Sequence, residues 1–185
     1  GGEVRVVLVG IGVRGRVWAT ICAEAPGVAL VGVVDQDRSA AESVSKEGVF
    51  YEDFAWALAE CRPDAVIIAT PPETHYAICK AALSAGKHVL CEARMAMSAQ
   101  EARDMLNASR AHPHLVAQIV PSPLTFRVDN LLQQMISDGY LGDLLAVELQ
   151  SLGPDFVETD GALHWRHDRD LSGFNVLNMG IWYEA

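Results

Sequence analysis

The stretch from Val4 to Gly15 reads VRVVLVGIGVRG. Its first half is short, apolar and rich in β-branched valine, which predicts a buried strand over Val4–Val9. Its second half, Gly10-Ile-Gly12-Val-Arg-Gly15, has the form G-x-G-x-x-G and opens a predicted helix from Gly12 to about Ala25, ended near Pro26-Gly27. After a strand and before a helix, each glycine has its own task. The first permits the tight turn, the second lets a pyrophosphate approach the backbone, and the third lets helix pack on strand. The N–H groups of Val13 and Arg14 would face the phosphates at the positive end of the helix dipole, and the Arg14 side chain could reach a phosphate as well.

A second apolar strand, Ala29–Val34, ends at Asp35, 20 residues after Gly15. A carboxylate at that strand end can bind the adenosine ribose hydroxyls and would repel a 2′-phosphate, which favours NAD(H) over NADP(H). Arg38 pulls the other way: it could stack on adenine or pair with a 2′-phosphate. NAD is therefore the expected cofactor, with NADP the alternative.

Further along, helices are predicted over Ser39–Lys46, from Asp53 to about Glu60, over Pro72–Ala85, and from Ser98 to about Arg110. Strands are predicted over Ala65–Ala69, His88–Cys91 and Leu115–Gln118. Asp53 can cap its helix, and Ser98-Ala-Gln-Glu101 fits a capping box. Strand and helix thus alternate to about residue 120, the pattern of an α/β fold with a doubly wound parallel sheet of the Rossmann type. Pro121 and Pro123 mark a boundary. Beyond it come a predicted helix from Leu124 to about Asp138, a strand over Leu144–Ser151, an irregular polar segment, and the start of a helix from Phe174. One strand and two helices cannot close a second sheet. The expected organisation is a dinucleotide-binding domain over residues 1–120 and the beginning of an incomplete α+β substrate domain over 121–185, in a piece of a longer protein or one whose partner chains complete the missing layer.

Half the residues are hydrophobic and 21% are charged, enough for a real core. The formal net charge of −10 argues against nucleic-acid and anionic-membrane partners, which need a basic footprint. No apolar run is long enough to span a bilayer. The start, Gly1-Gly2-Glu3, has no signal-peptide character. The four cysteines, Cys22, Cys61, Cys79 and Cys91, sit in apolar stretches without a C-x-x-C pair and read as free buried thiols. The expectation is a soluble, cytoplasmic protein acting on a small molecule.

Ala65–His75 (AVIIATPPETH), Gly86–Ala96 (GKHVLCEARMA) and Trp165–Gly180 (WRHDRDLSGFNVLNMG), with Gly139-Tyr-Leu-Gly142 and the glycine hexad, resemble the Gfo/Idh/MocA family of glucose–fructose oxidoreductase and inositol dehydrogenase type. The resemblance implies a Rossmann domain followed by an open, mostly antiparallel sheet. It also implies NAD(P)-dependent oxidation or reduction of a sugar, cyclitol or similar carbonyl compound, and a plausible homo-oligomer. By position, Thr70, Pro71 and His75 would line the cofactor, Glu92 would face the nicotinamide ribose, and Trp165 and Arg166 would approach from the second domain.

The chain departs from that family at the proton-transfer positions. Ala93 stands where the family's E-K-P segment has lysine. Asn178, Gly180, Trp182 and Ala185 stand in the register of D-x-G-x-H-x-x-D. Moving a hydride from a carbinol needs an acceptor for the hydroxyl proton, and none of these side chains titrates in that role. Arg94 could orient a substrate but stays protonated. Tyr183 and His164 are the replacement candidates, with Glu184, His167 and Asp168 nearby. His164-x-x-His167 with Asp168 and Asp170 has the residue types of a metal site, but no helix aims them, and no metal is expected. The alternative to an oxidoreductase with atypical catalytic residues is a catalytically inactive cofactor-binding sensor or partner-binding protein.

Overall fold

The computed structural model describes residues 2–42, 44, 49–120, 128–148 and 168–172. Six parallel strands form one sheet in the order β3-β2-β1-β4-β5-β6: β1 Val4–Val9, β2 Val28–Val34, β3 Val49–Tyr51, β4 Ala65–Ile68, β5 His88–Cys91 and β6 Ala117–Ile119. Between them run α1 Val13–Glu24, α2 Arg38–Glu42, α3 Phe54–Cys61, α4 Pro72–Ser84 and α5 Ala99–Ala111. Two further helices follow, α6 Asp129–Ser137 and α7 Arg169–Ser172. The order reverses direction at β1, which pairs with β2 on one side and β4 on the other. That reversal opens a crevice beyond the strand tips.

Alternation along each strand builds two cores. Val7, Val9, Val34, Val66 and Ile68 join Ala57, Cys79, Leu83 and Met105 on the face covered by α3, α4 and α5. Val6, Leu8, Val33 and Ile67 join Ile11, Ala19 and Cys22 on the face covered by α1. Successive residues of β1 and β4 therefore serve opposite cores, as the two-residue period requires. Val7, Leu8, Val66 and Ile68 are wholly buried, so these strands read as continuous apolar runs.

Helix ends follow local chemistry. Asp53 accepts from the Trp56 N–H at 3.0 Å and starts α3. Ser98 Oγ accepts from the Glu101 N–H at 3.2 Å and starts α5. The Glu101 carboxylate closes back onto the Met97 N–H at 2.9 Å, one residue earlier than a strict capping box has it.

Three expectations are revised. The strand Val49–Tyr51 was not expected. It is three residues long and, among the described residues, pairs only with β2, too short for periodicity to declare it. The last strand is Ala117–Ile119, displaced towards the C-terminus from Leu115–Gln118 because its register is set by β5. Residues 144–148 form no strand. Leu145 and Val147 are 94% and 80% exposed, and an apolar segment becomes a strand only beside a partner. The rest of the Leu144–Ser151 expectation, the helix start before Val128 and the helix from Phe174 lie outside the described residues.

Candidate functional site

A cavity of about 660 Å³ lies over the tips of β1 to β5. Its walls include Gly10, Gly12, Val13 and Arg14 after β1, Asp35 after β2, Phe54 after β3, Thr70, Pro71 and Glu73 after β4, and Glu92 and Ala93 after β5. Cofactor pockets typically span roughly 300–1,000 Å³.

The three glycines divide their labour as the spacing predicts. Gly10 adopts φ +90°, and a side chain there would strike the Ala69–Thr70 backbone at 2.8 Å. A Cβ on Gly15 would fall on the Gly10 carbonyl oxygen, so only glycine lets α1 close against the loop. A Cβ on Gly12 would meet nothing within 4 Å. Gly12 caps α1 without a side-chain hydrogen bond, and the first turn carries no acid. Its leading N–H groups are orphan donors, beside a cavity that Gly12 leaves open.

Asp35 sits at the neighbouring strand tip. Its carboxylate accepts from the Ile11 N–H at 2.6 Å and the Asp37 N–H at 2.8 Å. These bonds lock the glycine loop to the end of β2 and hold the carboxylate at the cavity wall. Asp37 serves the next turn: its carboxylate accepts from the Ser39 hydroxyl and backbone, which hold its pKa below the usual carboxylate value. Arg38 lies over the Phe50 ring, 5.5 Å from the centroid, and is not among the residues lining the cavity.

At the other end, Glu92 Oε1 accepts from Arg14 Nε at 2.9 Å and Trp18 Nε1 at 2.7 Å, and the Arg14 guanidinium pairs with the same oxygen. The Arg14 side chain is thus paired with Glu92 at the cavity wall. Trp18, which sequence reasoning passed over, fixes Glu92 from inside α1. A tryptophan in the middle of a helix carries no separate signal in the sequence, because only the fold brings α1 against the tip of β5.

His75 is wholly buried behind the wall. Its Nδ1 lies 2.7 Å from the Arg94 carbonyl oxygen and its Nε2 2.7 Å from that of Thr70. Burial holds its pKa below the ordinary value, opposed by those carbonyls and by Glu73 and Glu92. In its neutral form it donates to one of these carbonyls and packs against the other, filling the space between the loop after β4 and the loop after β5. The Thr70 hydroxyl is tied in turn to Thr74 Oγ1 at 2.6 Å. The structure therefore places Gly10, Gly12, Val13, Arg14, Asp35, Thr70, Pro71 and Glu92 around one cavity, Gly15 beneath it and His75 behind it. Trp165, Arg166, His164 and Tyr183 lie outside the described residues.

Phe54, Glu73, Thr74 and Ile78 also line the cavity, and the sequence reading did not single them out. Glu73 stood inside the T-P-P-E-T-H segment already quoted, in the first turn of α4. Among the described residues, no group of three or more His, Cys, Asp or Glu could hold a metal ion, and no helix is long and apolar enough to cross a membrane. All four cysteines are free and buried; burial pushes the Cys79 thiol up to about 11 and Cys91 higher still.

Comparison with known proteins bears on this arrangement. The family model of an oxidoreductase family with an NAD-binding Rossmann fold, GFO_IDH_MocA, matches residues 4–118. Inositol 2-dehydrogenase 1 of Saccharopolyspora erythraea is 36% identical over 103 residues, covering 53% of this chain and 31% of its own length. D-glucoside 3-dehydrogenase of Escherichia coli is 28% identical over 152 residues, covering 80% and 43%. The crystal structure of scyllo-inositol dehydrogenase from Lactobacillus casei with bound NAD(H) and scyllo-inositol superposes with a TM-score of 0.70 at 25% identity, covering 76% of this chain and 43% of that one. The chain spans less than half the length of these relatives.

Proposed function

The chain belongs to the Gfo/Idh/MocA oxidoreductase family, with its NAD-binding Rossmann fold, and from that premise we propose that it binds NAD(H) in the strand-tip cavity and serves hydride transfer to or from a sugar, cyclitol or similar substrate. The observation that carries the reading is the uncapped start of α1, where Gly12 leaves space for an anion and Asp35 waits at the next strand tip.

The residues present fit the cofactor. A diphosphate would take the orphan N–H groups of Val13 and Arg14, since anions are stabilised at a helix N-terminus. Asp35 would accept the hydroxyls of the adenosine ribose. Its negative charge, with Arg38 held over Phe50, favours NAD(H) over a cofactor bearing a 2′-phosphate. Glu92, oriented by Arg14 and Trp18, would face the nicotinamide ribose. Thr70 and Pro71 would form the wall between the two nucleosides, with His75 packed between that wall and the β5 loop. When bound, the cofactor supplies the hydride chemistry, and the protein supplies orientation and electrostatics.

The proton is the remaining requirement. Ala93 lines the cavity where the family pattern has lysine, and alanine can neither hold nor move a proton. We assign that task to Tyr183 or His164, with the second domain bringing it to the substrate oxygen. The same alanine favours a second reading, a cofactor-binding sensor without turnover. Calorimetric titration of the protein with NADH and NADPH tests the binding step: saturable NADH binding, tighter than NADPH, is expected, and no binding of either refutes the proposal. A panel of polyols, sugars and their keto forms, followed by nicotinamide absorbance, separates the two readings, because steady turnover removes the sensor.

A further inference from the structure

The surroundings of His75 hold one acceptor more than a neutral ring can serve. Its two ring nitrogens each lie 2.7 Å from a backbone carbonyl oxygen, Nδ1 from that of Arg94 and Nε2 from that of Thr70. A carbonyl only accepts, and a neutral imidazole has one N–H to give. In either tautomer one ring nitrogen therefore turns a lone pair towards a carbonyl lone pair, at a position wholly closed to solvent. An acceptor buried without its donor is costly. The imidazolium, with two N–H groups, satisfies both carbonyls. Glu73 on α4 and Glu92 in the loop after β5 also favour the charged ring. Glu73 Oε2 is itself buried with no hydrogen bond among the described residues, an anion that gains from a cation nearby. Cys79, one turn along α4, is pushed up to about 11 and stays neutral. Arg94 carries a like charge on the same loop as Glu92. Burial works against the charged ring and outweighs the rest, so proton uptake falls below the ordinary histidine value.

Resting on the dinucleotide reading above for its effect on affinity, we infer that His75 is a proton-operated clamp: as the imidazolium it binds the loop after β4 to the loop after β5, and as the neutral ring it holds one of them. The two loops carry Thr70 and Pro71 on one side and Glu92 and Ala93 on the other, walls of the same cavity. Closing the clamp fixes both walls before a ligand arrives and so lowers the ordering cost of binding. It also sets a positive charge behind the wall, which favours an anionic ligand such as a dinucleotide. Both effects tighten NADH binding as the pH falls below about 6.5. The same proton lowers global stability, because burial makes it less welcome in the folded chain than in the unfolded one.

The test follows the histidine ring nitrogens of the isotope-labelled protein by NMR, and NADH affinity by calorimetry, between about pH 8 and about pH 5. The affinity is measured for wild type and for His75→Gln, whose amide does not titrate. At the upper end His75 should show one protonated and one bare nitrogen, and at the lower end two protonated ones. Over the same span wild type should gain roughly threefold to tenfold in NADH affinity relative to His75→Gln, the scale of one hydrogen bond. Taking the ratio cancels the titration of other groups. A ring that keeps a bare nitrogen down to about pH 5 overturns the clamp, and so does a ratio that does not change with pH. Should His75→Gln not fold, wild type alone decides: affinity that rises along the ring's own protonation curve supports the clamp, and affinity that ignores it refutes it. Absence of NADH binding at every pH overturns the dinucleotide reading and with it the effect on affinity, while a doubly protonated ring still supports the clamp between the loops.

Discussion

Two glycines three residues apart should respond oppositely to the same added methyl group. In Gly15→Ala the new Cβ falls on the Gly10 carbonyl, which is backbone and cannot swing aside. Either α1 lifts from the loop or the loop shifts from β1. Overpacking of this kind costs about 1–3 kcal/mol, and in a domain of this size each kcal/mol lowers Tm by roughly 2–4 °C. In Gly12→Ala the methyl meets nothing within 4 Å, and φ is −70°, which alanine accepts. Stability should move by no more than about 0.5 kcal/mol. The methyl does, however, occupy the space assigned to the diphosphate. Losing about 1.4 kcal/mol or more of that contact weakens NADH at least roughly tenfold. The assay pairs thermal melts without ligand and NADH titrations for wild type and both variants. Gly15→Ala should melt several degrees lower; Gly12→Ala should melt with wild type yet bind NADH poorly. If Gly12→Ala binds NADH as wild type does, the loop is not the phosphate cradle. If Gly15→Ala melts unchanged, the packing argument fails.

Asp35→Asn removes the charge at the β2 tip and, having a single acceptor oxygen, gives up one of the two backbone bonds there; both dinucleotides should bind more weakly, but the NADPH-to-NADH ratio of dissociation constants should shift towards NADPH by about tenfold, measured by titration, and an unchanged ratio would detach Asp35 from cofactor choice. His75 has a pKa lowered by burial. Between that depressed value and the ordinary value near about 6.5 the unfolded chain binds the proton that the folded one refuses, so stability falls as pH drops below about 6.5. Urea unfolding across that range should show this slope in wild type and a shallower one in His75→Gln; identical slopes would place the titration elsewhere. Buried thiols raised by desolvation should resist a water-soluble disulfide reagent at mildly alkaline pH until urea is added; rapid labelling of the native protein would contradict the packing of Cys79 and Cys91.

What the chain alone determined is what local spacing can carry. Val4–Val9, the G-x-G-x-x-G turn and Asp35 specify strand, turn, helix and strand tip within 35 residues, and the apolar runs at β4 and β5 announce buried parallel strands. The helix starts at Asp53 and Ser98 were legible because capping is a contact between near neighbours. Tertiary structure decided the contacts between residues far apart in sequence. Arg14 and Trp18 reach Glu92 across more than 70 residues, and that pairing fixes the carboxylate at the tip of β5. His75 falls between two loops and becomes buried, although its helix position alone could equally have faced water. Val49–Tyr51 became a strand only because β2 offered an edge, while the apolar residues 144–147 found none among the described residues and stayed irregular. The physical reason is common to all of these. A hydrogen bond's geometry is local, but its partner is supplied by the packing of the whole sheet.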